Sequence, residues 1–256
     1  MRGLLHALSM ELLGASLALP DFPRVRSLYG LGVSDGPLYS ERLREKLDYR
    51  NTFYDREPRL DLLNPPAGEI GRYDFVLASE VFEHVPPPVE RAFSSALRLL
   101  KPNGVLVFTV PYSLDPGTAE HFPAIGEFGL AQVGGRTVLV NRSPDGKLDA
   151  TDEVLFHVGC TGPAPELREF SESGLRATVE AAGFSEFRIY SDDYPEFGIV
   201  QAEAWSLPMA ARRGPFGLSA DAARDIVEHW RDAHVALKRV GASRWFRAGN
   251  KLGFCK

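Results

Sequence analysis

Apolar and polar positions along the 256-residue chain switch repeatedly between a strand-like and a helix-like period, and the switches outline its elements. The clearest unit lies between Tyr73 and Tyr112. Residues 74–78 form a short, apolar, β-branched run, too brief for a helix, which predicts a buried strand ending at Ser79 and Glu80. After three prolines at 86–88, Val89, Ala92, Phe93, Ala96, Leu97 and Leu100 recur at helical spacing, while Glu90, Arg91 and Arg98 fall on the opposite face. Pro102, Asn103 and Gly104 read as the stop. Residues 105–110 are again continuously apolar, as a strand covered on both faces should be. Two parallel strands joined by a right-handed helical crossover are the economical reading. Ligands of such sheets sit beyond the carboxyl ends of the strands, which singles out Ser79, Glu80, Glu83 and His84, then Pro111 and Tyr112.

The flanking pattern predicts further elements. Leu4, Leu5, Leu8, Leu12 and Leu13 read as an amphipathic helix rather than a secretion signal, because His6, Ser9 and Glu11 interrupt the apolar stretch. Residues 128–133 and 137–141 alternate around Gly134-Gly135 as a hairpin does, and SPDG at 143–146 supplies a second turn. A β-rich cap inserted over about 113–170 is expected, overhanging the strand ends and selecting a ligand. The chain is thus read as a domain over 1–205 and a C-terminal helical extension over 206–256.

The pair DFVLASEVFEHV and RLLKPNGVLVFTVP, in this order and a helix apart, resembles the fourth and fifth motifs of class I S-adenosylmethionine-dependent methyltransferases. The resemblance implies an α/β, Rossmann-like fold, a three-layer αβα sandwich around a mostly parallel sheet, with S-adenosyl-L-methionine as cofactor. YGLGVSD at 29–35 resembles the family's second-strand pattern; Gly32 stands at the acidic position, leaving Ser34 or Asp35 for the ribose. LDLLNP at 60–65 resembles the adenine-binding motif, which implies cofactor contacts from Asp61 and Leu62, with Ser79 and Glu80 also against the cofactor. EFSESGLRATVEAAGFSEFRIY resembles the fifth helix and sixth strand, with Gly183 closing the helix. The family's first strand and glycine loop are expected upstream, where MELLGASLALPDFP stands, and read there as degenerate or missing. The wider pattern resembles a bacterial subgroup met near glycan-assembly genes, in which a cysteine-rich segment precedes this point; Met1 would then be an internal start.

Composition narrows the function. A 44% hydrophobic content suits a sizeable core, and no apolar run is long enough to span a bilayer. The net charge of −5 weighs against a nucleic-acid partner, and Arg239, Arg244, Arg247 and Lys251 with Trp245 and Phe246 read as an amphipathic tail. Two cysteines, Cys160 and Cys255, are too few for a disulfide framework or zinc site and suit a cytoplasmic location. The phosphate-cradling GxGxxG of nicotinamide enzymes is lacking.

Glu80, Glu83 and His84 form an ExxEH string with two readings. In one, Glu80 meets the cofactor while Glu83 and His84 orient the acceptor. In the other, implied by resemblance to certain O-methyltransferases, Glu80, Glu83, His84 and either His121 or His157 hold a divalent ion that acidifies an acceptor hydroxyl. The expected reaction is in-line O-methylation of a small-molecule or glycan acceptor, with His84 or His121 as base beside Glu83; His157 is a further candidate. The alternative is a methyltransferase-like scaffold without turnover.

Overall fold

The computed structural model describes residues 1–159, 162–201, 205–243 and 246. Cys160, Cys255, Arg244, Trp245, Arg247 and Lys251 lie outside the described residues. In chain order the body comprises helix α1 (Arg2–Leu13), strand β1 (Val25–Val33), helix α2 (Pro37–Lys46) and strands β2 (Leu47–Thr52) and β3 (Tyr73–Ser79). Helix α3 (Glu90–Leu99) and strand β4 (Leu100–Thr109) follow. Eight short strands come next: β5 (Tyr112–Ser113), β6 (Ala119–Glu120), β7 (Glu127–Val133), β8 (Arg136–Arg142), β9 (Leu148–Thr151), β10 (Phe156–Gly159), β11 (Gly162–Pro165) and β12 (Arg168–Ser171). The chain then returns through α4 (Glu172–Ala181), β13 (Glu186–Ile189), β14 (Met209–Arg212) and α5 (Ala220–Ala242).

Six strands form one sheet in the order β13-β14-β4-β3-β1-β2. All its pairings are parallel except those of β14, which runs antiparallel to both neighbours. β1 pairs with β2 on one side and β3 on the other, so successive crossovers leave it in opposite directions. At such a reversal open sheets bind ligands beyond the strand ends. The expected strand at 74–78 is β3, and the one at 105–110 is the regular part of β4. The helix ends at Leu99, just before Pro102–Gly104, which form an irregular lead-in to β4, with Tyr73 paired to Leu100 and Phe75 to Val105.

Two apolar layers sandwich the sheet, as residues buried on both faces of parallel strands require. On one face Leu4, Leu8 and Leu12 of α1 and Tyr39 and Leu43 of α2 meet Phe75, Leu77, Val105 and Val107. α1 ends at Gly14, whose left-handed φ of 70° a Cβ would penalise. On the other face α3 and α4 bury Phe93, Ala96, Leu175 and Val179 with Val76, Phe108 and Phe170. Phe82 stacks on Phe93 at 3.9 Å between ring centres, and both meet Phe108 edge-on. Ser171 caps α4, accepting from Gly174 N at 2.9 Å.

The strand expected to be second, carrying YGLGVSD, is the first strand of the chain and stands in the sheet interior. Among the described residues before it there is only α1 and a short 3₁₀ turn. The hairpin around Gly134-Gly135 is β7–β8, to which β9 adds. Tyr112 is buried in the core on the α3 and α4 face, with β5 parallel to β12.

Gly30 lies where a Cβ would enter the Phe75 ring. Gly30→Ala is expected to lower stability by about 1–3 kcal/mol through overpacking, with partial recovery in the Gly30→Ala/Phe75→Leu double variant, as read by urea unfolding.

Candidate active site at the strand ends

The turn after β1 is built on a buried carboxyl group. Asp35 is 1% exposed, and its two oxygens accept from the hydroxyls of Tyr39 on α2 and Tyr49 on β2. Asn51 grips the same residue through the backbone, accepting from Asp35 N at 3.0 Å and donating to its carbonyl at 2.7 Å. Thr52 Oγ1 donates to Gly32 O at 2.8 Å, and Ser34 N donates to Thr52 O at 2.7 Å. A Cβ on Gly32 would collide with the Tyr49 hydroxyl and the Asp35 carboxyl, so only glycine fits. Burial pushes the Asp35 pKa up to about 7, outweighing the two tyrosine hydrogen bonds that pull it down. Asp35 therefore braces the turn from below, and its carboxyl faces the two tyrosines rather than the open side. Ser34 takes the left-handed region at φ 60°.

Across the crevice, Ser79 Oγ lies 3.1 Å from Thr109 Oγ1, and Glu80 N donates to Thr109 O at 3.0 Å. Glu80 too is left-handed, at φ 53°. Its carboxylate accepts from Ser206 Oγ at 2.6 Å. Since Val33 pairs with Ala78, the two left-handed residues follow adjacent strands at nearly the same level. Non-glycine residues held there cost energy and cluster at ligand sites. Asp61 accepts from Leu63 N at 2.8 Å and Asn64 Nδ2 at 3.0 Å, a self-contained turn. Its neighbours Leu60 and Leu62 are buried in the cluster that holds Val33 and Ala78.

The ionisable cluster is assembled by a residue the motif reading missed. Arg168 is fully buried; Nη1 donates to Phe82 O at 3.0 Å and Val85 O at 2.6 Å, and Nε to Glu120 Oε1 at 2.7 Å. Its Nη2 has no hydrogen-bond partner among the described residues. These contacts tie β12 and β6 to the 3₁₀ turn Phe82–His84, where Leu167 N donates to Glu83 O at 2.9 Å. His84 Nδ1 lies 2.8 Å from Pro165 O, a contact that requires Nδ1–H to donate, and its Nε2 stands 3.4 Å from buried Glu83 Oε1. His121 Nε2 lies 3.2 Å from Glu166 Oε1, which leaves Nδ1 as proton acceptor when the ring is neutral. His121 also lines a cleft of about 490 Å³ with Phe122 and residues 152–155. No sequence signal marks Arg168 or Glu166, whose importance comes from long-range contacts.

Among the described residues the divalent-ion set is not gathered at one point. Glu80 turns to Ser206, His84 to Pro165 and His121 to Glu166. Among the described residues no group of three or more His, Cys, Asp or Glu side chains could hold a metal. The His157 side chain lies outside the described residues.

A methyltransferase-domain family model matches residues 32–185, from the end of β1 to the residue before β13, well over half of the chain. The chain belongs to this methyltransferase family. Its motifs and mostly parallel sheet are those of the class I S-adenosylmethionine-dependent enzymes. Among solved structures, a 1,6-didemethyltoxoflavin-N1-methyltransferase from Burkholderia thailandensis is 17% identical, covering 82% of this chain and 75% of its own, with a TM-score of 0.46. A sugar N-methyltransferase from Streptoalloteichus is 18% identical over 83% of this chain and 87% of its own, with a TM-score of 0.45. An S-adenosylmethionine-dependent methyltransferase from Clostridium acetobutylicum is 12% identical over 81% and 97%, with a TM-score of 0.45. No curated protein sequence matches significantly. No described helix is long and apolar enough to cross a membrane.

Two outcomes are expected. Because the folded-state pKa of Asp35 is raised, its contribution to stability is greatest below the unfolded value of 3.8 and is lost as pH rises through about 7. Thermal melts between pH 4 and 8 should show that Asp35→Asn removes this decline from the methyltransferase. Arg168→Ala should cost about 3–5 kcal/mol in urea unfolding, as expected for breaking a buried charged network.

Proposed function

We propose that the methyltransferase carries a methyl group from S-adenosylmethionine to an oxygen of a small-molecule or glycan acceptor. The observation that carries the donor site is the pair of left-handed residues, Ser34 and Glu80, at the ends of adjacent parallel strands where the sheet order reverses. In this reading Gly32–Gly36 is the glycine turn sought upstream, with Ser34 in a conformation that glycine more often supplies. The family match begins at Gly32, which supports that assignment. Ser34, the backbone of the turn, Ser79 and Glu80 would hold the donor, with Asp61 and Leu62 at its base end. Asp35 acts one step removed, by fixing the turn.

The donor supplies an electrophilic methyl group on a sulfonium. The protein's task is then to align the acceptor oxygen, exclude water and take up the hydroxyl proton. His121, oriented by Glu166 through Nε2, offers Nδ1 as the acceptor for that proton, and its ring borders the cleft. His84 and Glu83 hold the cap's floor through Pro165 and Leu167. The β5–β12 segment is the acceptor-selecting element in this reading, with 1–205 as the catalytic unit and 206–256 as an extension.

A scaffold without turnover was suggested by the apparent lack of a glycine turn. The Gly32–Gly36 turn and the docking of α1 on the sheet face, with Leu4, Leu8 and Leu12 in the core, favour the enzyme.

Calorimetry with S-adenosylhomocysteine tests the donor site. Binding in the micromolar range is expected, retained in Ser34→Gly and weakened at least tenfold in Ser34→Val, whose β-branched side chain resists positive φ. A folded protein that does not bind argues for the scaffold. Mass spectrometry of the methylated acceptor then separates the chemistry, and transfer only to nitrogen or carbon rules out the oxygen assignment.

A further inference from the structure

The turn that carries Ser34 stands on a carboxyl group with no cation beside it. The titratable side chains facing buried Asp35 are Tyr39 from α2 and Tyr49 from β2, each donating a hydroxyl hydrogen bond to it. Among the described residues no lysine or arginine pairs with this carboxyl, and Arg44 of α2 acts on Tyr49 instead. Asn51 touches Asp35 through its backbone alone.

A buried carboxylate facing two neutral phenols is costly, and a carboxyl that keeps its proton avoids that cost. Phenols and neutral carboxyls both donate and accept, so the same contacts serve the protonated group. Space adds a second constraint. A Cβ on Gly32 would meet both the Tyr49 hydroxyl and Asp35 Oδ2, so the strand backbone packs directly against the two groups. Solvating an ionised Asp35 therefore requires α2, β2 and the turn to part. Ser34 precedes Asp35, is left-handed at φ 60°, and donates its N–H to Thr52 O at the end of β2, so it moves with them.

We infer, on the basis of the donor site proposed above, that donor binding is proton-linked: the turn holds S-adenosylmethionine while the Asp35 carboxyl is neutral and lets it go when that proton is lost. Burial pushes the Asp35 pKa up to about 7 against the opposite pull of Tyr39 and Tyr49, which sets the window. A raised pKa favours the closed turn below it, so affinity falls as pH rises.

Calorimetry of the full chain with S-adenosylhomocysteine tests this. The dissociation constant should rise about tenfold from pH 6 to pH 8 as the neutral fraction falls, with circular dichroism showing a folded protein at both. At pH 7, buffers of different ionisation heat should reveal uptake of about half a proton per ligand bound. Asp35→Asn should abolish both effects. Tyr49→Phe keeps the ring stacked on Phe75 but deletes a hydrogen bond that favours the carboxylate, so it should move the loss of affinity to higher pH. A merely loosened turn weakens binding at every pH without that upward move, and the Tyr49→Phe midpoint decides even where Asp35→Asn does not fold. Affinity that is flat from pH 6 to pH 8 overturns the inference while leaving the donor site standing. So does a pH dependence undiminished in Asp35→Asn, or a midpoint that Tyr49→Phe leaves in place or lowers. A folded protein that binds at no pH defeats the donor site and the proton linkage together.

Discussion

A guanidinium taken out of water must find acceptors, and the arrangement of the cap follows from how Arg168 finds them. Its acceptors are the carbonyls of Phe82 and Val85 and the carboxylate of Glu120. Phe82 also stacks on Phe93 in the core, so the demand for hydrogen bonds joins the inserted strands to the packed layer of the sheet. Glu83, His84, His121 and Glu166 are held near one another because their backbones are held by this one tie and its neighbouring strand contacts. The pair His84–Glu83 and the pair His121–Glu166 are its chemical by-products, two imidazoles each facing a carboxylate.

A second buried charge-capable group performs the matching task on the other wall. Asp35 draws Tyr39 from α2 and Tyr49 from β2 to one point, and Asn51 locks its backbone. The turn above it cannot relax, so Ser34 stays left-handed. Glu80 is pinned likewise by Thr109 and Ser206. Surrounding packing over-determines both conformations, which is the condition under which backbone strain persists.

The helices divide according to what they can bury. α1, α2 and the first turn of α5 cover one face of the sheet, and α3 and α4 cover the other. Among the described helices α5 runs on past its contacts with the sheet, and its residues 227–242 are exposed.

Residues 74–110 were legible because the two strands are buried on both faces, as continuous apolar runs, and the helix on one: β3, α3 and β4 appear where those runs place them. The motifs DFVLASEVFEHV and RLLKPNGVLVFTVP carried the family for the same reason. Strand order was not legible, since YGLGVSD has no feature that says whether a strand pairs on one side or two. The left-handed turn at Ser34 escaped because only tertiary contacts can impose that conformation on a serine. The ExxEH string could not reveal that Glu80 and His84 turn away from each other, because one faces Ser206 and the other Pro165, far along the chain. Sequence by itself determined the β3–α3–β4 unit, the family and the hairpin around Gly134-Gly135, all set by neighbours within a few residues. Tertiary structure alone decided which carboxyl is buried, which histidine has an oriented partner and where the crevice opens, because those depend on groups brought together from opposite ends of the fold.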